Sequence, residues 1–168
     1  MPSSTGCLTE IERSWLAAIT DGEGCIRINR TRRKFAGGKH GWRYWPVIEF
    51  TNTNEALVHK FVSLTEPWVT RVREYGNDHF CENAKRRFQV EIRHRACEDF
   101  LHAIRPYLLG KGEQADLMIE FVTLQDTEGK SGKNMTAQYN ELYIKSRLLN
   151  LRGTEPLDVE QLRQDIKP

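Results

Sequence analysis

An α+β domain is predicted, with elements in the order α-β-β-α-β-β-α and further helices at the C-terminal end. Three observations predict it. Apolar residues recur at helical spacing in some segments and alternate in others. Each pair of alternating segments is joined by a short polar or glycine-rich stretch, which is how antiparallel strands connect. The 168 residues are 39% hydrophobic and 29% charged, enough apolar material for one core.

The elements follow in order. Thr9-Glu-Ile-Glu12 forms a capping box, with Ile11, Trp15, Ala18 and Ile19 repeating behind it along one helix face. Asp21-Gly-Glu-Gly24 reads as the stop of that helix, since its two glycines tolerate a C-terminal turn. Cys25–Arg33 alternates as a strand, Gly37–Gly41 is a turn, and Trp42–Thr53 is a second strand. Asn54 caps a helix carrying Leu57, Val58, Phe61 and Leu64. Trp68–Tyr75 and Arg87–His94 form another strand pair around the polar Gly76–Lys85 loop. Cys97–Tyr107, Glu113–Gln125 and Met135–Leu149 read as helices. Residues 1–152 make the single domain, and 153–168, with two prolines, an unplaced C-terminal tail.

Several function classes drop out. The longest apolar runs, such as Trp15–Ile19, are too short to span a bilayer, and the N-terminal residues show no basic-then-apolar leader. The expected location is the cytoplasm, or an organelle matrix if the gene is organellar, and not the secretory route. Cys7, Cys25, Cys81 and Cys97 contain no C-x-x-C pair, so they read as free thiols. His79 with Cys81, and His94 with Cys97, come nearest to metal-ligand spacing, but scattered cysteines of this kind are ordinarily small buried residues.

Net charge is only +2, yet its distribution is uneven. Between Gly24 and Ile48 lie seven basic residues (Arg27, Arg30, Arg32, Arg33, Lys34, Lys39 and Arg43) and no acidic one. A solvated face would mix both signs, so this stretch reads as a surface for a polyanion.

The segment that carries chemistry is Leu16-Ala-Ala-Ile-Thr-Asp-Gly-Glu-Gly24. It resembles the nine-residue signature of the LAGLIDADG homing endonucleases. Pro106-Tyr-Leu-Leu-Gly-Lys-Gly-Glu-Gln-Ala115 resembles that family's lysine ahead of a Gln-Ala helix start, and Phe50-Thr-Asn52 its polar strand end. The resemblance covers about residues 8 to 125 with one signature, which implies a homodimer and a saddle-shaped antiparallel sheet that binds double-stranded DNA. It implies a metal-dependent endonuclease that leaves 3′ overhangs in a long, near-palindromic site, using Mg²⁺ or, in its place, Mn²⁺.

The residues make physical sense of this. Small side chains at Ala17 and Ala18 let a twin helix approach closely, with Trp15 and Asp21 expected at the same interface. Two Glu23 carboxylates meeting at a two-fold axis would repel unless a cation sat between them, and oxygen-only ligation suits Mg²⁺. The resemblance implies Glu23 and the Gly22 carbonyl as metal ligands, Lys111 as a residue that polarises water near the phosphate, and Asn52 as a water-holding residue. The position where some relatives carry a further basic residue is taken here by Ala56.

A two-stranded ribbon fits the major groove, and eleven residues at about 3.3 Å each reach about 36 Å, close to one turn of duplex. Strand parity groups Arg27, Asn29, Thr31 and Arg33 on the reading face, with Arg43, Trp45 and Glu49 on the second strand. Arg73, Tyr75, Arg87 and Gln89 are the analogous residues on the other pair. Arg30, Arg32 and Lys34 have the opposite parity and are expected at phosphates or in solvent. An intron maturase acting on RNA, or a DNA-binding regulator that does not cut, is the alternative on the same fold. An intact Glu23 and Lys111 favour cutting.

Overall fold

The structure, a computed structural model, describes residues 8–34, 40–76, 86–127, 133–151 and 157–165. Four antiparallel strands form one sheet: β1 (Gly24–Lys34), β2 (His40–Asn52), β3 (Val69–Tyr75) and β4 (Arg87–Arg93), in the order β1-β2-β4-β3. Six α-helices accompany them: α1 (Glu10–Glu23), α2 (Glu55–Thr65), α3 (Arg95–Ile104), α4 (Gly112–Thr127), α5 (Lys133–Leu149) and α6 (Val159–Gln164). This is the predicted α+β order. Among the described residues no helix is long and apolar enough to cross a membrane.

Alternation decides the layers. Ile26 pairs with Ile48, Ile48 with Ile92, and Phe50 with Val90, so one sheet face is an unbroken apolar row. Leu16 and Ala17 of α1, Val58 and Phe61 of α2, Phe100 and Leu101 of α3, and Met118 and Phe121 of α4 pack on that face. The rings of Phe50 and Phe61 stack at 4.5 Å between centroids. Burying these side chains contributes about 1.5–3 kcal/mol each. The opposite sheet face carries no helix among the described residues.

The capping box at Thr9 is present in both directions: Thr9 Oγ1 accepts from the Glu12 amide at 3.3 Å, and Glu12 accepts from the Thr9 amide at 2.9 Å. Helix α1 stops within Asp21–Gly24 as expected, ending at Glu23, where the Gly24 amide donates to the Thr20 carbonyl. Gly24, not Gly22, is the sterically required glycine: a Cβ there would lie 2.7 Å from that carbonyl oxygen, whereas one at Gly22 would meet nothing within 4 Å. One boundary differs from expectation: the Cys97–Tyr107 helix ends at Ile104, and Pro106 turns the last three residues into a 3-10 turn.

Within the C-terminal stretch, the described residues 157–165 pack back onto the fold. Strand β1 is a sheet edge, and α5 satisfies it: Ser146 Oγ accepts from the Ile28 amide at 3.1 Å, and Asn150 donates to the Ile26 carbonyl at 2.9 Å. Helix α6 then docks below the β1–β2 ribbon. Arg30, expected at phosphates or in solvent, has a side chain only 7% exposed and reaches Asn140 at 2.9 Å and Asp165 at 3.0 Å. Its guanidinium lies 4.1 Å from the Trp42 ring and 4.8 Å from that of Tyr143. The alternation that points Arg27 and Asn29 outward points Arg30 toward the helices. Arg32 and Lys34, further along, are exposed.

The cysteine readings divide. Cys97 is buried and its thiol donates to the Ile92 carbonyl at 3.2 Å, and burial pushes its pKa up. It is a packed residue, as expected. Cys7, His79 and Cys81 lie outside the described residues.

Candidate nucleic-acid interface

The open sheet face is made by the second parity of every strand. Cross-strand pairs Asn29–Trp45, Thr31–Arg43, Thr51–Gln89, Arg73–Gln89 and Tyr75–Arg87 lie on it, together with Arg27, Arg33 and Glu49. All eleven residues expected to read DNA therefore fall on one face. Arg33, Arg43 and Arg87 are exposed, and the Arg87 guanidinium lies 5.1 Å from the Tyr75 ring.

A hydrogen-bonded relay crosses all four strands of this face. Arg73 donates to Tyr75 Oη at 3.1 Å, Tyr75 donates to Gln89 Oε1 at 2.7 Å, and Gln89 donates to Glu49. From the other side Arg27 forms an ion pair with Glu49 and donates to Asn29 Oδ1 at 3.0 Å. The direction of the relay follows from its ends, since a guanidinium only donates and a carboxylate only accepts. Glu49 is only 7% exposed, so it faces the open side but sits beneath Arg27 and Gln89. Its carboxylate serves these side chains and is not presented to a base.

Strand parity also places residues that the sequence reading left out. Arg71, Glu91 and Arg93 continue the alternation from Arg73 and Gln89 onto this face. Glu91 is 4% exposed and pairs with Arg93 at 2.6 Å and Arg73 at 3.9 Å. Extending the alternation by one step from Arg73 on β3 and by two steps from Gln89 on β4 would have found them.

At one end of the face stands the C-terminus of α1. Gly22 and Glu23 are exposed there. Behind them the Asp21 carboxylate accepts from the amides of Leu109 at 2.8 Å and Lys111 at 2.9 Å. The Lys111 ammonium donates to the Thr20 carbonyl at 2.9 Å and to that of Asp21. The site thus gathers Asp21, Glu23 and Lys111, ninety residues apart in sequence. Lys111 is placed where a cation complements the negative end of a helix. Desolvation pushes the Asp21 carboxyl up, but the amides of Leu109, Gly110 and Lys111, with the lysine's charge, outweigh it and hold the pKa below the usual value.

Two expectations, for Asn52 and Ala17, need correction. Asn52 belongs to the helix-covered parity, paired with Phe88, and its side chain accepts from the Asn54 amide at 2.8 Å to open α2. The exposed Thr51 is the polar side chain on the open face at this end of β2. Ala17 is fully buried against its own core and cannot face a second helix, because positions 16, 17 and 20 form the inward stripe of α1. Asp21 is engaged by its own chain's loop, and Trp15 is half-buried against the core. The stripe left outside is Ile11 (82% exposed), Ser14, Ala18 and Gly22, at helical spacing. Leu109, 95% exposed, stands beside its C-terminal end.

Among the described residues no three His, Cys, Asp or Glu side chains gather as a metal site. At the C-terminal end of α1 one chain offers an exposed carboxylate, Glu23, with the Gly22 carbonyl next to it. These hard oxygen donors fit Mg²⁺, which is commonly held by one or two carboxylates, waters and substrate phosphates. They form half of a shell, not a whole one.

No protein-family model and no curated protein matches the chain. Solved structures do match. The chain is similar to the homing endonuclease I-CvuI in complex with its target in the presence of Ca, at 16% identity and TM-score 0.72, covering 92% of this chain and 91% of that one. It is similar to the archaeal intron-encoded homing endonuclease I-Vdi141I complexed with DNA, at 13% identity and TM-score 0.71, covering 93% and 94%. Against the LAGLIDADG homing endonuclease I-GzeII in complex with its DNA target, identity is 12% and TM-score 0.62, and the match spans 91% of this chain but 48% of the other.

Proposed function

We propose that this chain, which has the fold of the LAGLIDADG homing endonucleases, is a site-specific, metal-dependent DNA endonuclease that works as a homodimer. The observation that carries the reading is the open sheet face. It is helix-free among the described residues, rich in arginine, and has the exposed Glu23 at one end.

Each part has a physical task. The β1–β2 ribbon lies in the major groove, with the arginines of the open face directed at bases and phosphates. The exposed stripe of α1 packs against its copy around a two-fold axis, which brings two Glu23 side chains together. The near-full coverage of I-CvuI and half coverage of I-GzeII support two copies where the longer chain needs one. Glu23 and the Gly22 carbonyl would hold Mg²⁺, which supplies Lewis-acid stabilisation and an acidified water at the phosphodiester when bound. Lys111 keeps the end of α1 at one height by holding its last carbonyls, and its charge adds to the field that attracts the phosphate. Cutting both strands from the two-fold axis leaves 3′ overhangs.

The test uses the DNA that flanks the gene. A homing site is recreated when the insertion is removed, so the joined flanks form the candidate duplex. Wild-type protein cuts that duplex in Mg²⁺ or Mn²⁺ and binds without cutting in Ca²⁺. Glu23→Gln, which keeps the shape and removes the charge, binds it and does not cut. Undiminished cutting by Glu23→Gln overturns the assignment of the acid, and no binding by the wild type overturns the reading as a whole.

A further inference from the structure

Two buried carboxylates, Glu49 and Glu91, are direct cross-strand neighbours in the middle of the arginine-rich face. A surface built only for phosphate attraction would gain nothing from them, because each cancels one positive charge that could release a counterion. Burying a carboxylate is also costly unless it is paired and hydrogen-bonded. Both are paired: Glu49 with Arg27 and Gln89, and Glu91 with Arg93 at 2.6 Å and Arg73 at 3.9 Å. The three arginines and two glutamates leave one net positive charge in the patch.

Resting on the DNA-reading function above, we infer that Glu49 and Glu91 are positioning residues that turn Arg27, Arg73 and Arg93 from phosphate clamps into readers of guanine. The argument is geometric and electrostatic. An arginine free to rotate follows the nearest phosphate. One whose guanidinium is tied to a carboxylate beneath it, and in the case of Arg73 also to Tyr75 at 3.1 Å, presents its remaining N–H groups in a fixed direction. Guanine O6 and N7 reward a fixed fork, whereas phosphate oxygens accept from many directions. Neutralisation lowers affinity for random duplex, and fixed direction preserves affinity for the right base. The pair thus raises discrimination by weakening non-specific binding.

Glu91→Gln tests this with two duplex probes, a pool of random-sequence duplexes and a duplex of A·T pairs only. Wild type enriches guanine at defined positions of the bound pool and binds the A·T duplex weakly. Glu91→Gln, with a circular dichroism spectrum like wild type, binds the A·T duplex more tightly. Its log–log salt slope is steeper by about one, as expected for one further phosphate contact. Its guanine enrichment falls roughly tenfold at the affected positions. An unchanged slope with unchanged enrichment overturns the inference. Should Glu91→Gln not fold, Arg73→Lys decides: it keeps the charge and loses the fork, so the slope holds and the guanine enrichment at its position disappears. Enrichment retained by Arg73→Lys overturns the inference. Wild type that binds neither probe overturns the underlying DNA reading instead.

Discussion

Lys111 donates to Asp21 twice, once from its backbone and once from its side chain. The Asp21 carboxylate accepts from the Lys111 amide at 2.9 Å, and the Lys111 ammonium donates to the Asp21 carbonyl. The two bonds lock the 108–112 loop onto the end of α1, next to Glu23, so the position of that end depends on a residue ninety positions from Asp21.

Asp21→Asn is therefore expected to destabilise the protein by about 1–2 kcal/mol at neutral pH, since the amides of Leu109 and Lys111 lose a charged acceptor. The pH dependence has a definite sign. The folded-state pKa of Asp21 is depressed, so its contribution is complete above its unfolded value of about 4 and disappears as pH falls through the lower folded value. Denaturant midpoints of wild type and variant should converge as pH is lowered from 6 toward 2.5. A constant gap over that range would show that the carboxylate's charge is not what holds the loop.

Adjacent alanines on α1 should behave oppositely. Ala18→Glu puts a charge on the exposed stripe and is expected to leave the fold intact while preventing association. Ala17→Glu buries a charge in the monomer core and is expected to unfold the protein. Sedimentation of wild type should report twice 19.6 kDa, Ala18→Glu a folded monomer, and Ala17→Glu a loss of helical signal. A wild-type monomer at micromolar concentration would contradict the two-fold site.

Arg30→Met removes the buried guanidinium that joins β1 to α6 and should cost about 3 kcal/mol, the usual scale for breaking a buried ion pair. Amide exchange in Val159–Gln164 should rise with it, because Asn140 and Asp165 lose their shared donor. Exchange in α6 unchanged by Arg30→Met would mean that other contacts hold the helix.

Two arginines on the reading face differ in what supports them. Arg33 is exposed, so Arg33→Ala should weaken DNA binding and leave thermal stability near wild type. Arg27→Ala should weaken DNA binding and also lower thermal stability, because it abandons the buried Glu49. Melting curves beside gel shifts separate the cases. Equal melting temperatures for the two variants would remove the structural role given to the Arg27–Glu49 pair.

The sequence by itself determined the order of elements and the faces of the strands, because both follow from local periodicity. Alternation along the four strands sorts side chains by parity, so all eleven candidate residues fall on one face. Glu23 and Lys111 were singled out by a resemblance of local sequence patterns, and the fold places both at the C-terminal end of α1. What required the tertiary structure was every question of partnership. That Ala17 is core and Ala18 surface depends on which stripe of α1 meets the sheet. That Asn52 caps α2 while Thr51 faces outward depends on where β2 ends. Arg30 is buried only because α5 and α6, more than a hundred residues later, return beneath β1. Glu49 and Glu91 become buttresses only when strand register sets them side by side. Ion pairs and burial are properties of residues far apart in the chain, and only the packed fold brings them within reach of one another.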